Sequence, residues 1–118
     1  MRDVKSFESV FIHRDPVDMR RGINGLSEIV QSAQMGNWNE NAVFVFCGKR
    51  RHSIKILYFD KSGFALWQKL LDKEKFHWPK KVTTSVVPMT PEQLAWLLEG
   101  FDVLKMRPFA ELQFERVT

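Results

Sequence analysis

The densest chemistry in the chain lies in Gly48-Lys49-Arg50-Arg51-His52-Ser53-Ile54-Lys55. Lys49, Arg50, Arg51 and Lys55 are cations at neutral pH, and His52 adds an imidazole. Cations this closely spaced at a turn can neutralise neighbouring backbone phosphates and release their counterions. Arg20 and Arg21 form a second basic pair. They either add a second contact or pair with Asp15 or Asp18 and organise a helix start. Lys69, Lys73, Lys75, Lys80 and Lys81 could widen the patch, with Trp67 and Trp78 offering flat faces for stacking bases. The plainer alternative is a solvated basic turn and tryptophans that fill the core. Composition alone leaves both open.

Segment counting sharpens the charge. Eighteen basic and fourteen acidic residues leave the chain at +4. Between Lys49 and Lys81 stand ten Lys/Arg against three Asp/Glu, a local excess of +7, while the remainder is at −3. An imbalance of this kind points one region toward a polyanion.

Other chemistries are less well supplied. Cys47 closes an apolar run, where a lone cysteine is expected as a small core hydrophobe and not a reactive thiolate. His13, His52 and His77 lack the three- or four-residue spacing with which one helix presents two metal ligands. Asp18, Asp60 and Glu99 could in principle hold Mg²⁺ for a nuclease, but each is also explained as a cap, a turn former or a helix end. No nucleotide-cradling glycine loop is present. Neither a cofactor nor a metal is expected, and no catalytic residue is assigned.

The elements that must position these residues follow from apolar spacing. Val10-Phe11-Ile12 reads as a strand stopped before Pro16. Met19, Ile23, Leu26, Ile29 and Val30 predict a helix, with Asp15 or Asp18 as its cap. The unbroken apolar run 42–47 predicts a central strand, and Ile54–Asp60 returns beside it as an antiparallel hairpin with the basic segment at its tip. Phe64–Leu71 fits either period; the spacing of Trp67, Leu70 and Leu71 favours a short helix capped by Ser62. Phe76–Pro79 reads as extended and Val82–Val87 as a strand. Thr90, Pro91 and Gln93 spell a capping box ahead of Leu94, Leu97 and Leu98, with Gly100 ending that helix. Phe109, Leu112 and Phe114 could dock onto the core or a partner.

At 118 residues, with 44% apolar and 27% charged positions, folding as one domain would bury about two-thirds of the surface. The expectation is a single compact α+β domain, mainly antiparallel sheet with two to three helices. A core over about residues 8–103 would precede a tail at 104–118. No apolar stretch reaches bilayer or signal-peptide length, and one cysteine permits no internal disulfide, so a cytoplasmic protein without membrane contact is expected.

Asp15-Pro16-Val17-Asp18-Met19-Arg20-Arg21-Gly22-Ile23-Asn24-Gly25-Leu26 resembles the opening signature of the TnpB accessory proteins of the insertion sequence 66 family. These Orf2-like proteins are unrelated to the RNA-guided nucleases that share the TnpB name. The resemblance continues through Val43-Phe44-Val45-Phe46, Arg50-Arg51, Asp60-Lys61-Ser62-Gly63-Phe64, Phe76-His77-Trp78-Pro79 and 94–102. The chain departs from the family at Lys73-Glu74-Lys75, where a glycine is common, and at His52-Ser53, where an acidic residue is common.

Membership would imply a protein of a bacterial mobile element that works beside a separate transposase, the larger partner carrying the acidic catalytic triad. The resemblance thus implies a non-catalytic accessory protein of transposition. Its partners would be DNA at the element ends, the transposase and other element-encoded proteins; self-association is left open. Binding would use Lys49, Arg50, Arg51, His52 and Lys55, with Arg20 and Arg21. An adaptor that holds the transposase without touching DNA is the alternative, and a metal-dependent nuclease the third reading.

Overall fold

A computed structural model describes residues 1–106. A single 3-10 turn at Val4–Ser6 leads into β1 (Ser9–His13), followed by α1 (Ile23–Ser32), β2 (Ala42–Cys47), β3 (Ser53–Asp60), β4 (Gly63–Leu70), β5 (Val86–Met89) and α2 (Pro91–Glu99). The strands form one sheet in the order β4-β3-β2-β1-β5. The fold is α+β, and three of its four strand pairings are antiparallel. The exception is β1 beside β2, a parallel pair whose crossover carries α1. That pairing was not anticipated, because parallel partners need a long connection and leave no turn signature.

Every residue of β2 is buried, as its unbroken apolar run requires of a strand covered on both faces. Alternation sorts its side chains. Ala42, Phe44 and Phe46 meet Leu26 and Val30 of α1, together with Met35 and Leu57. Val43, Val45 and Cys47 meet Leu94, Leu97 and Leu98 of α2, with Ile54, Ile56, Phe76 and Trp78 between them. A buried side chain of this kind contributes roughly 1.5–3 kcal/mol. No helix among the described residues is long and apolar enough to cross a membrane.

The capping box of α2 is present as read. Thr90 Oγ1 accepts from Gln93 N at 3.1 Å, and Gln93 Oε1 accepts from Thr90 N at 2.9 Å. Gly100 ends the helix at φ 103°, a left-handed conformation that costs glycine little.

Three expectations are corrected. Phe64–Leu71 is not a helix: Gly63–Leu70 is β4, paired along its whole length with β3. Lys61 takes φ 51° in the two-residue turn and aligns Gly63 opposite Asp60. Period-two packing then decides: Leu66 faces the α1 layer, Trp67 the α2 layer, and Leu70 is 72% exposed.

The first helix begins at Ile23, with Gly22 as its N-cap and no side-chain cap. Asp15 and Asp18 do not serve. The Asp18 carboxylate instead accepts from Arg20 N at 2.9 Å, in a turn closed by Arg21 N donating to Asp18 O. Short acidic side chains commonly bind nearby backbone in this way and so compete with helix.

The last strand is Val86–Met89, not 82–87. Arg14 explains the shift: its Nη1 donates to Val82 O and Thr83 O at 3.0 and 3.2 Å, holding that stretch away from the ladder. Pro88 faces Phe11 on an edge strand, where a missing N–H is tolerated. Phe109, Leu112 and Phe114 lie outside the described residues.

Candidate nucleic-acid interface

The basic segment is the tip between β2 and β3, in register from the pair Cys47 and Ile54. Gly48 N donates to Ser53 O at 3.2 Å, and Arg51 N to Gly48 O at 3.0 Å, with Arg51 at φ 61°. The segment after β4 braces this turn. Leu71 N donates to His52 O at 2.7 Å and Phe76 N to Arg51 O at 2.8 Å. His52 Nδ1 lies 2.8 Å from Glu74 O, and since a carbonyl only accepts, that nitrogen carries the proton. His52 is therefore half-buried and ties the tip to its neighbour.

Lys49 and Arg50 are exposed and Arg51 is half-buried. Lys55 is not a tip residue. It is 8% exposed and points into the α1 side of the sheet, where Nζ donates to Met19 O at 2.6 Å and Arg21 O at 2.8 Å. Burying an ammonium is costly without partners. Two carbonyls offset that cost and fix the 19–21 turn beside the hairpin. Gly48 is part of the same join, since a Cβ there would sit 2.6 Å from Met19 Cγ.

Arg20 follows the ion-pair reading. Its Nη2 lies 2.9 Å from Asp18 Oδ2, and the guanidinium holds the Asp18 carboxyl down at about 2, below the ordinary 3.8. Its side chain is nonetheless 92% exposed. Arg21 is exposed, its stem lying against Gly25. A shallow hollow of about 450 Å³ joins Val17, Asp18 and Met19 to the tip residues 48–53, so the stretch just before Arg20 and Arg21 borders the tip, while neither arginine lines that hollow.

The wider lysine set divides. Lys80 and Lys81 line a second hollow of about 450 Å³ with Arg51, His77 and Lys105. Lys69 is engaged elsewhere: Nζ donates to Leu98 O at 2.9 Å, at the carbonyl end of α2. Trp78 is not available for stacking. It is 7% exposed, and its Nε1 donates to His13 O and Arg14 O at 3.2 and 3.1 Å. Trp67 is half-buried against the α2 layer. Arg14 and Lys105 are basic residues at this surface that sequence reasoning missed, since nothing local links them to Arg51.

The carboxylates do not converge. Asp18 lies beside the tip, whereas Asp60 ends β3 at the opposite end of that strand. Cys47 is buried, and burial pushes its thiol up to about 12 despite the nearby Arg51 charge.

Residues 8–108 match the family described as IS66 Orf2 like protein. The chain is also similar to two proteins of Sinorhizobium fredii (strain NBRC 101917 / NGR234). Uncharacterized protein y4jC is 35% identical over 98 residues, covering 83% of each chain. Uncharacterized protein y4hO is 33% identical over 93 residues, covering 79% of this chain and 80% of the relative. No solved structure matches. With most of both chains aligned, and the 15–26 turn, the hairpin and the capped α2 all inside the matched span, the chain belongs to the IS66 Orf2-like family, the TnpB proteins of IS66 insertion sequences.

Proposed function

We propose that this chain is a non-enzymatic accessory protein of transposition that binds DNA through the tip of the β2–β3 hairpin. One observation carries the reading. Lys49 and Arg50 stand exposed on a turn that is already braced by 71–76, with Arg51, Lys80 and Lys81 beside it. A turn held in place before binding loses little entropy on contact, so more of the phosphate attraction remains as affinity. Arg21 extends the surface from the 19–21 turn, with Arg20 shared between Asp18 and an incoming phosphate.

The separation of Asp18 from Asp60 supports a role without catalysis. Eight residues of strand span roughly 23 Å, whereas two-metal phosphoryl chemistry needs ions about 4 Å apart. Cutting and joining then belong to the transposase, and this chain works beside it at the element ends, in the bacterial cytoplasm.

Fluorescence anisotropy with element-end and scrambled duplexes, across a salt series, tests the reading. Arg50→Ala should weaken binding and reduce the magnitude of the log–log salt slope by about 0.9, one phosphate contact. Unchanged affinity and slope would overturn it.

A second reading has its own support. β4 is an open sheet edge on which Leu70 is 72% and Phe64 40% exposed, a surface suited to a protein partner. Retention of the transposase after nuclease treatment, with no shift of element-end DNA, would favour an adaptor.

A further inference from the structure

β1 and β2 run parallel, but their chains separate at the carboxyl ends. The connection from β1 leaves toward α1, while that from β2 folds back into β3. Parallel neighbours that part in this way leave a crevice beyond their carboxyl ends, the usual ligand position in open sheets. Here the crevice is about 220 Å³, walled by residues of 14–16, 47–51 and 78–80.

Its charge is one-sided. Arg14, Lys49, Arg51 and Lys80 face a single carboxylate, Asp15. Arg14 and Asp15 answer each other, with Nε 3.1 Å from Oδ1, and the Val82 and Thr83 carbonyls fix the rest of the guanidinium. The ion pairs among the described residues involve Arg14, Arg20 and Lys105, so Lys49, Arg51 and Lys80 meet no carboxylate there. The Trp78 indole lines the crevice with its N–H already engaged by the His13 and Arg14 carbonyls, so it adds an apolar wall and no donor of its own. The site therefore offers three cations that meet no carboxylate among the described residues. A phosphate monoester, at nearly two negative charges near neutral pH, answers that excess better than a singly charged diester.

We propose that the crevice at the ends of β1 and β2 binds a phosphate monoester, the group carried at the end of a nucleic-acid strand. This rests on the reading of the adjacent tip as a nucleic-acid contact, and adds to it a preference for strand termini. The internal phosphates run along Arg50, while the terminal one enters among Lys49, Arg51 and Lys80.

The test compares one single-stranded oligonucleotide with a 5′-phosphate, a 3′-phosphate or neither, using the intact chain. A phosphorylated form should bind about tenfold tighter, the scale of one net charge-assisted hydrogen bond. Lys80→Gln and Arg51→Gln should abolish the difference; Arg50→Ala should weaken all three forms alike and preserve it. Lys80 is exposed, so its variant keeps the comparison valid if Arg51→Gln disturbs the turn. Equal binding of all three forms, still weakened by Arg50→Ala, overturns the crevice and leaves the tip reading standing. No oligonucleotide binding, with inorganic phosphate still shifting the amide signals of 47–51 and 78–80, overturns the tip reading and supports a small phosphate as ligand. Silence toward both probes overturns the two together.

Discussion

The ammonium of Lys55, on β3, lies 2.6 Å from the carbonyl oxygen of Met19 and also reaches that of Arg21. A side chain that looks like part of a basic hairpin is instead the pin that holds the 19–21 turn against it. Lys55→Met keeps the stem and removes the donor, orphaning two carbonyls. The expected cost is about 1–2 kcal/mol in urea unfolding, since an unsatisfied buried group costs about 1–3 kcal/mol and these two carbonyls are only part-buried. Any loss of DNA affinity should track that instability. A stable Lys55→Met protein with selectively lost binding would return Lys55 to the interface.

Gly48→Ala tests the same join from the other side. The added methyl would meet Met19 Cγ at 2.6 Å, too close for the methionine to stay where it is. Overpacking of this kind costs about 1–3 kcal/mol. The Met19 methyl resonance should move, and the tip with it. A variant with wild-type stability and an unmoved Met19 signal would show that the turn has slack.

Legibility followed the range of each interaction. The α2 capping box is written within four residues, so Thr90 and Gln93 revealed it directly. The all-apolar 42–47 run told its own burial. Trp67, Leu70 and Leu71 misled because residues four apart share a face in a strand as well as in a helix. Trp67 and Leu71 pack against one core while Leu70 is exposed, and the turn at Lys61 and the pairing with β3 settled the matter. The partners of Lys55 lie 36 and 34 residues away, and those of Arg14 lie 68 and 69 away. No local pattern encodes such distances, and so the crevice joining Arg14, Arg51 and Lys80 was invisible while the basic tip was not.

Acid should separate Arg20 from its partner. Hydrogen bonds from the Arg20 side chain, then from its backbone N–H, hold the Asp18 carboxyl at about 2 in the folded chain, against an ordinary 3.8. A depressed folded value means that the pair's contribution is complete above the ordinary value and is lost as pH falls toward 2. Carboxyl-carbon NMR titration should therefore give Asp18 a midpoint near 2, rising toward 3.8 in Arg20→Ala. Asp18 is solvent-facing, so global stability should change little. A midpoint near 3.8 in the parent protein would show that the pair does not persist in solution.

Cys47 borders the basic crevice, where a neighbouring guanidinium would ordinarily favour thiolate and make the cysteine reactive. Burial opposes that charge and wins, taking the thiol from its ordinary 9 up to about 12. The raised value fixes the sign of the pH effect. The stabilising contribution of the neutral buried thiol is whole below 9 and disappears as pH climbs toward 12. At pH 8 the folded chain should thus resist iodoacetamide, and modification should keep pace with unfolding as urea is added. The Arg51→Gln variant should label no faster, because the charge it removes favours the thiolate. Rapid labelling of the native protein at pH 8 would show that the crevice opens onto the sulfur, and slower labelling of Arg51→Gln would then show that Arg51 governs it.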